Sequence, residues 1–472
     1  MNAIVDELNG LDLGDARLNR RGQILLSRFA DNPQASIPAA CRGWNETDAA
    51  YKFFANPRVD AEGILQPHRQ ATLERCRQER VVLLVQDTTE LDYTHQNLSI
   101  EGLGVLDHRD RRGMHLHANV AFTPEGCCLG VVGARFFTRP EESIGQARER
   151  TYWPIEDKES VRWLEGYREA CAIQRELITP RVVSIADREA DIYEIFAERE
   201  RNVSRRRWGQ AHFIIRAKEN RSLPQKAEDA GPWSYQKLWS ALEESPERFR
   251  RRLHLSATPK RPAREVTLAV RARELTLKPP YRRDRRLPPV TVRAVLAQEI
   301  DPPEGEERVE WLLLTSLPID HRDQIETILD YYRGRWPIEP LFRTLKTGCR
   351  VEELRLESID RLKPSVALYL IVAWRVMFVT KLGRECPKVP ADVLFSDAEW
   401  RSVWQIVRHE PPPPSPPSLG EFLPILASLG GYLARRHDPP PGPQALWIAI
   451  RRMTDFAHAW LTFGPGHASN PP

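Results

Sequence analysis

The stretch VVLLVQD, residues 81–87, carries five apolar residues without alternation and ends on an acid, Asp87. An unbroken run of this kind reads as a strand buried on both faces, as in the middle of a sheet. VVSIAD, residues 182–187, repeats the pattern, ends on Asp187 and leads into a helical stretch, ADIYEIFAER. In α/β sheets ligands sit off the carboxyl ends of such strands, so two strand-end aspartates mark a candidate site. Between them, HANVAFTPEGCCLGVVGARFF (117–137) reads as a hairpin around Pro124-Glu125-Gly126, and SVRWLEGYREACAIQREL (160–177) as a helix. EWLLLTSLP (310–318) returns to a core strand. The fold class is α/β.

Outward from this core the patterns change. Residues 1–75 read as short helices, with Arg17, Arg20 and Arg21 on the polar side of LDLGDARLNRRGQILLSRFA. They are either a small amphipathic bundle or a helical nucleic-acid-binding domain. Residues 248–293 hold fifteen Lys/Arg against three acids, a net charge of +12. There VTLAVRARELTL and PVTVRAVLAQ alternate, so they read as strands with one wet face. The local charge suits a polyanion; a solvated basic surface is the plainer alternative. Residues 323–346 and 361–382 read as helices, and PPPPSPPS (411–418) as an extended, poorly packed break. Near the carboxy end, Trp447, Ile448, Ile450, Met453 and Phe456 form an apolar face, for a partner helix or for the chain's own core.

The 472 residues allow two or three domains, and the net charge of +4 points to no partner by itself. MNAIVDELNG lacks the features of a signal peptide. VALYLIVAWRVMFVT (366–380) is interrupted by Arg375 and falls short of the about 20 apolar residues of a membrane span, so no membrane partner is expected. Seven scattered cysteines without CxxC spacing fit a reducing, cytoplasmic setting and argue against zinc.

The chemistry concentrates in YYRGRWPIEPLFRTLK, residues 331–346. On a continuous helix Tyr332, Arg335, Glu339 and Lys346 fall within one stripe of roughly 60°. Surface ion pairs would produce the same spacing. Three carboxylates without a His/Cys cluster suit hard divalent cations, Mg²⁺ above all. Two such ions about 3.5–4 Å apart serve phosphoryl transfer. The residues alone therefore suggest a metal-dependent phosphodiester enzyme. Pro337 and Pro340 are incompatible with a helix interior, so a kink or restart is expected near Trp336.

The string Y-x2-R-x3-E-x6-K at Tyr332, Arg335, Glu339 and Lys346 resembles the signature of the insertion sequence 4 family of bacterial cut-and-paste transposases. QDTTELDYTH around Asp87, ADREADIYE around Asp187, WLLLTSLP, GDARLNRR, NETDAAYKFFANPRV and LGGYLARR extend the resemblance over nearly the whole chain. It implies an RNase H-like catalytic core at 76–384 with a β-rich insertion at about 220–305. A helical DNA-binding domain would precede it at 1–75, and a helical dimerisation domain would follow at 385–472. It implies Asp87, Asp187 and Glu339 as catalytic ligands of two Mg²⁺ ions, with Mn²⁺ as a substitute. Tyr332, Arg335, Lys346, Trp336, Arg216 and Arg355 match DNA-contact positions, and Trp311 the position on which a flipped base stacks. The implied reaction is nicking at transposon ends, hairpin formation and opening, then strand transfer. Its partners are the terminal inverted repeats, target DNA and a second copy of the chain in a synaptic complex. The setting is the bacterial cytoplasm, at the nucleoid. This chain departs from the type member in the prolines of RWPIEP, in Ser358 and in the 411–418 segment. A catalytically inactive DNA-binding copy and a plain metal-dependent nuclease are the alternatives.

Overall fold

A computed structural model describes residues 4–95, 99–143, 153–205, 207–226, 235–255 and 262–464. Met1–Ala3, and Lys260 and Arg261 of the basic run, lie outside these. In chain order the elements are α1 (Ala16–Asp31), α2 (Ile37–Ala40), α3 (Trp44–Phe54), α4 (Ala61–Arg77), β1 (Val81–Asp92), β2 (Gly104–Val105), β3 (Arg112–Phe122) and β4 (Cys128–Phe137). Then come α5 (Val161–Leu177), β5 (Arg181–Ala186), α6 (Tyr193–Ser204), β6 (His212–Arg216), β7 (Ser222–Lys226), β8 (Tyr235–Lys237), α7 (Leu238–Glu243), β9 (Phe249–Leu255), β10 (Arg264–Leu277), β11 (Val290–Glu299) and β12 (Glu310–Thr315). The chain closes with α8 (Arg322–Arg333), α9 (Ile338–Arg343), α10 (Ile359–Glu385), α11 (Asp397–Arg408), α12 (Leu419–Ser428) and α13 (Pro443–Phe463).

Two compact units form from separated stretches. The first comprises Met1–Cys76, Thr88–Ser143 and Trp336–Pro472; the second comprises Arg77–Asp87 and Ile144–Arg335. In the second unit, β1 runs parallel to β5, with Val81 opposite Arg181 and Val85 opposite Ile185. β5 runs parallel to β6, and β12, β11, β10 and β9 continue antiparallel. Val82–Val85 are completely buried, as their unbroken apolar run predicts. Tyr167 of α5 and Phe196 of α6 pack on Phe213 of β6, and Trp163 of α5 is buried. In the first unit, the second half of β1 neighbours β3, which pairs with β4. The β3–β4 turn is the expected one: Gly126 sits at φ +88°, a conformation that favours glycine. The strand order β4-β3-β1-β5-β6, flanked by helices, is an RNase H-like core.

Two strand readings need correction. β1 does not end at Asp87 but runs to Asp92, so Asp87 lies inside a long strand. β11 has a wet face only over its first residues. From Ala294 to Glu299 both faces are buried, because α6 and α7 cover it. The basic run also meets acids from beyond its own span. Arg264 pairs with Glu299 and Glu306, Arg282 with Glu194, and Arg251 with Asp330. A local charge count cannot anticipate such partners.

The core of the first unit is α10. It is long and apolar enough to cross a membrane, but 72% of its apolar window is buried by the protein itself. Tyr369 stacks on Phe29 of α1 at 4.5 Å, and Trp374 Nε1 donates to the Cys128 carbonyl at 2.9 Å. A helix apolar on all sides must be enclosed in this way. Its carboxy-terminal half shares a cluster with α11–α13, including Trp400, Phe422 and Leu446. Trp447 and Met453 of the α13 face are buried within this unit, so most of that face covers the chain's own core. The proline segment is extended yet anchored, with Pro417 O accepting from Ala391 N at 2.8 Å.

Candidate active site

The second unit brings Asp87 and Asp187 together. The β1–β5 register ends with Val85 opposite Ile185, and Asp87 and Asp187 each follow two residues later at that end of the sheet. Adjacent strands lie about 4.8 Å apart. Asp187 follows the last residue of β5, and its Oδ1 accepts from Glu189 N at 2.8 Å, which fixes the turn into α6. Arg335 Nη1 donates to Asp87 Oδ2 at 2.8 Å, with side chains only 12% and 17% exposed. A charge-assisted contact this sheltered is stronger than a surface ion pair.

Tyr332 and Trp311 stand behind this pair. Tyr332 is 2% exposed and meets Trp311 edge-on at 5.8 Å. Burial pushes the Tyr332 hydroxyl pKa up, while the Arg216 and Arg335 guanidiniums pull it down and the Asp187 carboxylate adds to the rise. Burial lowers the pKa of Arg216, whose Nη2 donates to the Glu310 carbonyl at 2.8 Å. Trp311 is itself buried, within β12, so stacking on a base requires it to become accessible. One sheet end thus holds two carboxylates, two guanidiniums and a phenol.

The first unit holds Glu339 and Lys346. The single-stripe expectation fails: the chain breaks at 334–337 between α8 and α9, as the two prolines require. The helix restarts one residue later than Trp336, with Pro337 as N-cap. Glu339 lies in the exposed first turn of α9, where a carboxylate suits the positive end of the helix dipole. Trp336 is 44% exposed. Lys346 lies in a π-type turn, Thr344–Gly348, and its Nζ stands 3.3 Å from Glu352 Oε1. Such turns recur at functional sites. A Cβ on Gly348 would approach the Trp447 ring to 2.9 Å, which fixes glycine there.

Glu352 was not among the expected residues. It also accepts from Asp92 N at 2.9 Å, so it joins β1 to the lysine turn. The only sequence signal was an acid six residues beyond Lys346. Arg355 lines a groove of about 970 Å³ with Tyr51, His95 and Arg350, beside the loop 34–38. Arg17 and Arg20 are exposed on α1 and Arg21 is half-buried; none lines that groove. Arg17 pairs with Asp15, the N-cap of α1, whose carboxyl is held down at about 2 by that arginine.

Oxygen donors without thiolate or imidazole suit a hard divalent cation, and Asp87 and Asp187 fit that requirement. Among the described residues, no group of three or more His, Cys, Asp or Glu is gathered closely enough to hold a metal. Asp87 is instead neutralised by Arg335.

Three protein families match successive parts of the sequence. Residues 1–59 match a transposase DNA-binding family, 200–374 a transposase DDE domain, and 371–461 the Tn5 transposase dimerisation domain. Glu339 falls within the DDE match, whereas Asp87 and Asp187 precede it. One solved structure to which the chain is similar is described as a piggyBac transposase synaptic complex with hairpin DNA. Identity is 9% and the TM-score 0.31, over 78% of this chain and 66% of that one, a likeness too weak to add to the fold above. The ordered matches, together with an RNase H-like strand order, make the chain a member of the Tn5-like DDE transposases.

Proposed function

We propose that the chain is a cut-and-paste DNA transposase that nicks transposon ends, forms and opens a hairpin, and joins the ends to target DNA. The observation that carries this reading is that Asp87 on β1, and Asp187 directly after the parallel β5, stand at the same end of the sheet. Asp87 and Asp187, with Glu339 as third ligand, would hold Mg²⁺ or Mn²⁺, which supplies Lewis-acid stabilisation and an activated oxygen nucleophile. Arg335 and Arg216 provide positive charge for the non-reacting phosphate oxygens, and the Tyr332 hydroxyl a hydrogen-bond donor. Lys346 adds a cation, Trp336 is an exposed stacking surface for an unpaired base, and Trp311 would be one only once uncovered. Arg17, Arg20, Arg21 and Arg355 bind phosphates of the transposon end. Leu461 and Phe463, exposed at the end of α13, support pairing with a second copy.

A second reading, a DNA-binding copy without cleavage, is favoured by one observation: Arg335 engages Asp87. Incubating the purified protein with its flanking-DNA ends and Mg²⁺, beside Glu339→Ala, separates the two. Nicking followed by a hairpin product, absent in the variant that still shifts the DNA, is expected. Binding without cleavage by the wild type in both Mg²⁺ and Mn²⁺ selects the inactive copy.

A further inference from the structure

A cleft in the second unit, about 1330 Å³, lies between the loop 278–287, the start of α6 and residues 219–222. It begins at Asp191, four residues after Asp187. Its walls are pinned from within. The Tyr193 hydroxyl is shared between the carbonyls of Leu277, at 3.2 Å, and Pro288, at 2.8 Å, the two ends of the loop. Arg282 Nε donates to Glu194 at 2.7 Å, and Arg285 Nη2 to Glu156 at 2.6 Å. Arg221 is held by Asp191, whose other oxygen accepts the 218 and 219 amides. Of the four acids along the cavity, Asp191 and Glu194 are paired in this way and Asp284 pairs with Arg285. Arg283, Arg286 and Tyr281 also line the cleft and are exposed, Tyr281 to 71%.

A preformed cleft with exposed arginines and an exposed aromatic ring suits a phosphate backbone. Phosphate contacts position a duplex and carry no sequence information. We infer that this cleft is a DNA track separate from the end-binding surfaces, and that it takes duplex of no particular sequence, the DNA that receives the cut ends. The inference rests on the transposase reading, because only strand transfer requires a second DNA.

The test measures binding of the full chain to a random-sequence duplex lacking transposon ends, across a salt series. Each lost phosphate contact lowers the slope of log K against log salt by about 0.9, so Arg283→Ala/Arg286→Ala should flatten it by about 1.8. Arg283→Lys/Arg286→Lys should keep the slope, because the charge is kept and a merely misfolded loop would not be rescued. Joining of precut ends to target should fall with the alanine pair, while nicking at the donor end stays at the wild-type rate. An unchanged slope overturns the proposal, and so does an equal loss of donor nicking. If the wild type nicks nothing, the transposase reading has failed, yet the slope still decides whether this cleft binds DNA.

Discussion

Asp87 lies within a strand and Asp187 directly follows one; Glu339 and Lys346 rest on a six-residue helix and a π-type turn. The first pair is held by backbone register, a buried apolar run and a sheltered ion pair. The second pair is exposed or half-buried, on backbone shaped by two prolines and a glycine pressed against Trp447. Strands fix side chains through cross-strand hydrogen bonds, whereas short irregular segments open at low cost. The contrast teaches that the Asp87–Asp187 pair is preorganised by the fold and the Glu339–Lys346 pair by local exceptions to it.

The largest effect should follow from Asp187→Asn. Removing a proposed metal ligand should slow end cleavage roughly a thousandfold, about 4 kcal/mol of barrier, with DNA binding retained in a mobility-shift assay. Lys346→Met should cost less, because it removes a phosphate contact and leaves the carboxylates intact. Equal losses would break the distinction between the two pairs.

Next in size is the pH response of the scaffold. His212, in the second unit, is held down at about 4 by burial and by neighbouring arginines. His68, in the first unit, is also lowered by burial, with the Glu7 carboxylate opposing. Its Nε2 accepts from Val131 N at 3.0 Å, so its Nδ1 proton points to Glu7. Both imidazoles are neutral when folded and protonate more readily when unfolded. Stability is therefore full above about pH 6.5 and falls as the pH drops below it, for His212 by roughly 3 kcal/mol near pH 4. Urea midpoints at pH 7.5 and 5 should show the loss, and His212→Gln should flatten it. A midpoint independent of pH would contradict the neutral, buried assignment.

Arg335→Ala leaves the sheltered Asp87 carboxylate without its cation and should cost about 1–3 kcal/mol of stability, read by denaturant unfolding. Pro337→Ala should change stability by under about 1 kcal/mol, because Pro337 caps α9 rather than interrupting it. A larger change there would show that the irregular part of the site is more constrained than its exposure suggests.

The sheet end was legible because two apolar runs of strand length each led to an aspartate, and burial of such runs follows directly from their composition. The hairpin at Gly126 and the enclosed α10 were legible for the same local reasons. The extension of β1 past Asp87 was not, because Thr88–Asp92 carries polar residues that only its partners could hold in a strand. The break at 334–337 could be read from its prolines, but the π-type turn has no sequence mark beyond Gly348. Glu352 escaped notice because its role depends on Asp92, 260 residues away in the chain. Acids reaching into the basic run were hidden for the same reason: ion pairs across distant segments leave no periodicity.

Asp87 and Asp187 are proposed to form one metal-binding centre, at the sheet end where β5 stops. Asp187→Cys tests it most directly, with cleavage of the end DNA measured in Mg²⁺ and in Mn²⁺, which tolerates a thiolate ligand better. The account predicts no cleavage in Mg²⁺ and partial recovery in Mn²⁺. Cleavage by this variant in Mg²⁺ at the wild-type rate would contradict it.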